Sequence, residues 1–302
     1  MHDIIIVGAG VAGLSAAIYG LRAGKSVLLF EEKTYGGQII NTPEIENYPG
    51  IKKVSGFEFA TNLYEQAMEL GAEIKYEKVL GITTVEGHKI IKTDSDSYEA
   101  KAVIIATGAK NRPLGVARET ELIGAGVSYC ATCDGMFFRG KDVAVVGGGN
   151  TALEDALFLA SYCNKVYVIH RRDAFRGEDK LVESLKDKDN VSFCLDSQVT
   201  KLVGLDRVEG VEVSNKKTGD IKTIAVSGVF VAIGQMPDNK AFEELIATDE
   251  YGYIVASENC KTKEPGVFVA GDCRTKTVRQ LTTAAADGAV AALAAGEYLQ
   301  TM

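Results

Sequence analysis

The sequence predicts an α/β protein containing two Rossmann-like nucleotide-binding domains. Three observations carry the prediction: G-x-G-x-x-G at Gly8, Gly10 and Gly13, G-x-G-x-x-A at Gly147, Gly149 and Ala152, and a short β-branched run directly ahead of each. A parallel strand covered on both faces reads as an unbroken apolar run rather than as an alternation. Ile4 to Val7 and Val143 to Val146 have that character.

The first unit follows in order along the chain. After the strand at Ile4–Val7, Gly8 permits a tight turn, Gly10 lets a pyrophosphate approach the backbone, and Gly13 lets the helix from Leu14 to Ala23 pack closely on the strand. The N-terminus of that helix then faces the anion. A second strand, Ser26 to Phe30, ends at Glu31, 18 positions after Gly13, near the usual spacing for a carboxylate that accepts hydrogen bonds from an adenosine ribose. The stretch Ile4 to Leu21 is uncharged and long enough to resemble a membrane or signal segment. Met1, His2 and Asp3 supply no basic lead, however, and its glycines have the nucleotide explanation.

The second unit repeats the pattern with one difference. Val143–Val146 leads through Gly147, Gly149, Asn150, Thr151 and Ala152 into a helix ending near Tyr162, and the next strand, Lys165 to Ile169, ends in His170, Arg171 and Arg172, with Arg176 close behind. A carboxylate at this place would repel a ribose 2′-phosphate, whereas guanidinium groups can fork onto it. The second site therefore reads as an NADPH site.

Bulk properties narrow the function classes. The chain has 302 residues, 46% hydrophobic and 25% charged, which is globular composition with room for two domains, and its net charge of −8 argues against nucleic-acid binding. Six cysteines, of which only Cys130 and Cys133 are close together, do not form a secreted disulfide framework, so a reducing, cytoplasmic setting is expected.

That close pair belongs to Cys130-Ala131-Thr132-Cys133-Asp134-Gly135, between the two fingerprints. Zinc ligation, a structural disulfide, inert thiols and redox exchange compete as readings. Zinc needs about four ligands; Cys163, Cys194, Cys260, Cys273 and the three histidines offer no second close pair, so no metal is expected. A disulfide across so short a loop stabilises little. Redox exchange fits better, with the pair at the start of a helical turn whose partial positive charge favours thiolate. The isolated cysteines read as small buried hydrophobes.

G-A-G-V-A-G at 8–13, C-A-T-C-D-G at 130–135, G-G-G-N-T-A at 147–152, H-R-R-D-A-F-R at 170–176 and G-D-C at 271–273 together resemble the low-molecular-weight bacterial thioredoxin reductases, over the whole chain. Gly36, Gly37 and Gln38, the stretch Glu46–Gly50, Ala106–Gly108, and Arg279 with Gln280 match as well. The resemblance implies an FAD-binding domain over 1–112 and 243–302, interrupted at 113–242 by an NADPH-binding domain carrying the dithiol. The apolar strands Ala102–Gly108, Val229–Gly234 and Gly266–Gly271, each closing in glycine, agree with that plan.

Carried over residue by residue, the resemblance assigns FAD to Gly8, Gly10, Ala12, Gly13, Glu31, Gly37, Gln38, Asn47, Thr107, Gly108, Gly271, Asp272, Arg279 and Gln280. It assigns NADPH to Gly147, Gly149, Asn150, Thr151, Ala152, His170, Arg171, Arg172 and Arg176. Cys133 would take electrons from the flavin, Cys130 would attack the disulfide of oxidised thioredoxin, and Asp134 would move protons. The resemblance further implies a homodimer, and rotation of the inserted domain between two orientations about the crossings near Arg112–Val116 and Pro237–Phe242. A ferredoxin-dependent flavin thioredoxin reductase shares the fold and dithiol, but its pyridine-nucleotide motifs are degraded, unlike those here. The reductase of a peroxide-removing system, a small-molecule dithiol oxidase and a non-catalytic nucleotide-binding redox sensor are the remaining rivals, and sustained NADPH turnover separates an enzyme from a sensor.

Overall fold

A computed structural model describes residues 1–42 and 44–302. The chain forms two compact units: unit 1 is Met1–Lys110 with Met236–Met302, and unit 2 is Asn111–Gln235.

Unit 1 opens with β1 (His2–Val7), α1 (Val11–Arg22) and β2 (Val27–Phe30). Ile4, Ile5 and Ile6 are each 0% exposed, which is why this strand tolerates no polar alternation. Burying each stabilises by roughly 1.5–3 kcal/mol. The uncharged stretch at 4–21 is thus a strand, a glycine turn and a buried helix, and no helix among the described residues is long and apolar enough to cross a membrane. Next come α2 (Gly56–Glu69), β3 (Glu73–Lys75), the hairpin β4 (Val79–Val85) and β5 (His88–Thr93), and β6 (Ser97–Ile105). Strands β3, β2, β1 and β6 are parallel neighbours, whereas β5 runs antiparallel to the first half of β6. The sequence expects a strand from Ala102; it begins five residues earlier because this first half pairs with the hairpin.

After β7 (Ala109–Asn111), unit 2 contains β8 (Val127–Ser128), α3 (Ala131–Asp134), β9 (Asp142–Gly147), α4 (Asn150–Ala160), β10 (Lys165–Ile169), α5 (Asp179–Lys186) and β11 (Val191–Cys194). An antiparallel meander follows, β12 (Ser197–Val203), β13 (Gly210–Asn215) and β14 (Ile221–Ile224), and then β15 (Gly228–Ala232). The main sheet, in the order β11-β10-β9-β15-β8, is parallel throughout. Where the chain enters and leaves this unit, its two passes lie side by side: Arg112 N–H donates to Gly234 O at 2.9 Å, and Gln235 Nε2 donates to Asn111 Oδ1 at 2.9 Å.

The chain returns to unit 1 through β16 (Gln235–Pro237), and β17 (Val267–Val269) pairs in parallel with the second half of β6 before the terminal helix α6 (Leu281–Gln300). Residues 236–242, placed by the sequence in the inserted domain, belong to unit 1 by packing. Phe242 is 2% exposed in a core with Ile246, Ile254 and Val269. Helix α6 lies close on α1: a Cβ on Gly288 would meet Ala12 O at 2.2 Å, and Ser15 Oγ donates to Ala285 O at 2.7 Å.

Candidate active site

The unit 1 site is built on the turn between β1 and α1. Gly8 has φ +107°, and a Cβ there would meet Ala106 O at 2.4 Å; one on Gly13 would meet Gly8 O at 1.8 Å. Both closures need hydrogen as the side chain. Gly10 caps α1 without any side-chain hydrogen bond, so the first peptide N–H groups of this helix are left for a ligand or solvent. It bridges to Gly36, and Gly37 Cα lies 3.9 Å from where a Gly10 Cβ would stand. Glu31 reaches back to this turn: its Oε2 accepts from Ala9 N–H and its Oε1 from Lys33 N–H, each at 3.0 Å. Lone pairs remain on both oxygens for hydroxyl donors.

The other unit 1 residues are brought to the same neighbourhood from distant parts of the chain. A Cβ on Gly271, which has φ +80°, would stand 2.8 Å from Ala12 Cβ on α1. Gln38 Nε2 donates to Ala109 O, Asn47 Nδ2 to Gln280 Oε1 at 3.3 Å, and Thr107 Oγ1 to Asn239 Oδ1 at 3.0 Å, while Gly108 faces open space. Gln280 caps α6 in a reciprocal capping box with Thr283. Arg279 stacks on Tyr253 at 4.1 Å and donates to Asp272 O at 3.3 Å. Asp272 Oδ1 is buried with no hydrogen-bond partner, and burial raises this carboxyl. An orphaned carboxylate oxygen beside two glycine turns suits a ligand that brings hydroxyl donors.

Two buried residues that local pattern did not reveal hold this loop. Asn239 Nδ2 donates to Gly252 O at 2.8 Å and Cys273 O at 3.0 Å. Asp287 on α6 accepts from Gly271 N–H at 2.9 Å, from Arg274 Nε at 2.9 Å and Nη2 at 2.8 Å, and from Lys276 Nζ at 2.8 Å.

In unit 2 the turn between β9 and α4 has the same construction. A Cβ on Gly147 would meet Ala232 O at 2.3 Å and Ala152 Cβ at 2.6 Å, and Gly149 caps α4 with no side-chain hydrogen bond and open space beside it. Arg176 N–H and Gly177 N–H both donate to Gly148 O, at 2.7 and 3.1 Å, and Asn150 exchanges two hydrogen bonds with Glu178. These contacts tie the arginine segment to the glycine turn. Arg171, Arg172 and Arg176 are exposed, as is Thr151, and the three arginines make no ion pair with a carboxylate among the described residues. His170 stands apart from them. It is 6% exposed, stacked on Phe175 with its ring against Gly148, and burial, with the neighbouring arginines, lowers its pKa and keeps it neutral. It supports the turn from beneath, whereas the exposed guanidiniums remain available to an anion.

The dithiol lies between β8 and β9 in the same unit. Cys130 and Cys133 form a disulfide, Cys130 capping the single turn α3 and Cys133 within it; both are half-buried. Cys130 Sγ is 3.4 Å from Thr132 Oγ1. Asp134 closes the turn, its N–H donating to Cys130 O at 3.1 Å and its Oδ2 accepting from Ser128 Oγ at 2.6 Å. Burial raises the Asp134 carboxyl and the Ser128 hydrogen bond opposes the rise. Cys163, Cys194, Cys260 and Cys273 are buried free thiols, and burial pushes Cys163 up to about 11 and Cys260 to about 12. They are poor nucleophiles. No cluster of metal-ligating side chains occurs among the described residues.

Two glycine turns of dinucleotide form and a C-x-x-C disulfide define a nucleotide-dependent disulfide oxidoreductase. Residues 2–288 match the family described as pyridine nucleotide-disulphide oxidoreductase, and the chain belongs to that family. It is 40% identical over 303 aligned positions to the thioredoxin reductase of Bacillus subtilis, covering 100% of this chain and 96% of the relative. Among solved structures, the thioredoxin reductase of Streptococcus pyogenes is 43% identical with a TM-score of 0.95, covering 100% of this chain and 99% of that one. A ferredoxin-flavin thioredoxin reductase from Clostridium acetobutylicum is 30% identical with a TM-score of 0.55, covering 100% and 99%.

Proposed function

We propose that this protein is a flavoprotein disulfide oxidoreductase that passes electrons from NADPH, through FAD and the Cys130–Cys133 pair, to the disulfide of oxidised thioredoxin. Unit 1 holds FAD and unit 2 holds NADPH. The observation that carries the reading is the half-buried disulfide placed in the same unit as a glycine turn flanked by three exposed arginines. When bound, FAD supplies the conversion of hydride chemistry into disulfide reduction.

The chain's residues divide the remaining work. In unit 1 the α1 N-terminus and Gly10 accommodate a pyrophosphate, Glu31 a ribose, and Asp272 a hydroxyl-bearing chain. In unit 2 the α4 N-terminus and Gly149 do the same for the pyrophosphate of NADPH, with Arg171, Arg172 and Arg176 forking onto its 2′-phosphate. Two electrons and two protons open the Cys130–Cys133 bond. The Cys130 thiolate then attacks one sulfur of thioredoxin; the substrate S–S bond breaks, and the departing thiolate takes up a proton. The Cys133 thiolate attacks Cys130 of the mixed disulfide, releasing the second substrate thiol after protonation and restoring the original pair. Asp134 carries protons in these steps. The division between Cys130 and Cys133 follows the family resemblance, as does the homodimer, and the cytoplasmic setting follows from the sparse cysteine pattern.

A ferredoxin-type donor is the second reading, favoured by the likeness to the clostridial ferredoxin-flavin enzyme. The intact Gly147, Gly149 and Ala152 and the exposed arginines favour NADPH. Anaerobic titration of the FAD-loaded protein with NADPH and then NADH, followed by flavin absorbance, tests the choice. Bleaching by NADPH, and its reversal by oxidised thioredoxin, is the expected result; absence of bleaching transfers the assignment to a ferredoxin-type donor.

A further inference from the structure

Ser128 is the second residue of β8 and is 5% exposed. Its hydroxyl joins the two ends of the redox turn. It accepts from Cys130 N–H at 3.1 Å and has a carboxylate oxygen, Asp134 Oδ2, at 2.6 Å and a carbonyl oxygen, Cys130 O, at 3.3 Å. A hydroxyl has one proton to donate, and the shorter, charge-assisted contact takes it. Among the described residues it is the one side-chain donor to the Asp134 carboxylate.

The anchorage of the two partners differs. Ser128 is held in the parallel sheet, opposite Phe230 of β15. Asp134 sits at the end of a four-residue helix, too short to fix a side chain by its own backbone bonds. The carboxylate therefore takes its direction from the sheet through the serine hydroxyl.

We propose that Ser128 is a positioning residue for disulfide exchange, aiming the Asp134 carboxylate at the Cys130–Cys133 sulfurs so that protons reach and leave the exchanging thiolates. The proposal rests on Asp134 being the proton carrier. The titratable groups beside that carboxylate are, once the disulfide is reduced, the Cys130 and Cys133 thiols of its own turn and, from the side of α4, Tyr162, whose hydroxyl stands against Gly135, with Asp155 acting on Tyr162. Without the serine hydroxyl, burial acts on Asp134 unopposed and its carboxyl titrates at higher pH.

The test compares Ser128→Ala, Ser128→Thr and Asp134→Asn in the FAD-loaded protein. Two readouts are followed across pH: kcat with thioredoxin, and the rate at which iodoacetamide alkylates the reduced pair. Ser128→Ala should lower kcat by about tenfold, a fraction of what a positioned acid or base contributes, and move the Asp134 inflection upward in both profiles, with the KM for NADPH unchanged. Ser128→Thr, which keeps the hydroxyl, should restore both. Profiles of Ser128→Ala that superimpose on wild type, or failure of threonine to rescue a shifted profile, would overturn the proposal while Asp134→Asn remains impaired. An Asp134→Asn protein that exchanges normally would instead remove the proton-carrier reading, and this proposal with it.

Discussion

Replacing Asp287 by asparagine should loosen unit 1 more than any other single isosteric change at the site. The side chain is 7% exposed and its two oxygens engage Arg274, Lys276 and Gly271 N–H together. Glu258 also meets Arg274, at 3.3 Å, but its side chain is 91% exposed and cannot replace a buried partner. Removing one member of a buried ion pair costs about 3–5 kcal/mol, because the remaining charge is left desolvated; here two cations lose their common anion. With a urea dependence of about 2–3 kcal/mol per molar for a unit of this size, the midpoint should fall by roughly 1–2 M. Urea-induced release of FAD, followed by the recovery of flavin fluorescence, reports unit 1 directly. The loss should be pH-dependent in the wild type as well. Burial pushes the Asp287 carboxyl up, but the hydrogen bonds from Arg274 and Lys276 outweigh it and leave the group lowered. Its contribution is therefore fully present above the ordinary carboxylate range and is lost as pH falls through and below it. A midpoint for Asp287→Asn within about 0.3 M of wild type would refute the reasoning, since it would place the cost well under that of a broken buried pair.

Two further substitutions test the site from other directions. Arg176→Ala should raise the KM for NADPH by about tenfold or more while leaving that for NADH nearly unchanged, as expected for one charge-assisted contact of about 1.5–3 kcal/mol; parallel steady-state measurements with both nucleotides decide it, and equal losses would place the arginine off the 2′-phosphate. Gly288→Ala places a methyl group 2.2 Å from Ala12 O and 2.9 Å from Ala16 N, so α6 must move away from α1. A destabilisation of about 1–3 kcal/mol together with weakened FAD binding by the apoprotein is the expected outcome, and unchanged FAD affinity would show that this packing does not shape the glycine turn.

The parts of the fold legible from the sequence were those where burial imposes a local pattern. β1, β9 and β10 sit inside parallel sheets, so apolar runs, closed by glycine at β1 and β9 and by His170 and the arginines at β10, marked them within a residue or two. The hairpin β4–β5 and the meander β12–β14 gave no such signal: Thr83, Thr84 and Glu212 lie among their apolar positions, and exposure varies along each strand. The candidate site divided in the same way. Glycines announce themselves because backbone closures such as Gly8 on Ala106 and Gly13 on Gly8 exclude every other residue. Ser128, Asn239 and Asp287 have ordinary neighbours in sequence, and their partners are found only once the chain is folded; Asn239, for instance, binds the carbonyl of Cys273. At His170, grouped by its arginine-rich context with the ligand contacts, the fold adds what the sequence did not show: the ring is buried and packs against Gly148 of the glycine turn.

The discontinuity of unit 1 dictates an order of events during synthesis. Unit 2 is one uninterrupted stretch, 111–235, so every contact within it becomes available once that stretch has left the ribosome. Unit 1 has no such independence. Its first glycine turn is made within residues 8–13, yet α1 finds Gly271 and its α6 neighbour only when residues 271–300 have been made. Until then α1 has an uncovered apolar side. Completion of the first site consequently follows that of unit 2, and a chain truncated before α6 should retain a folded unit 2 while exposing the buried face of α1 to aggregation.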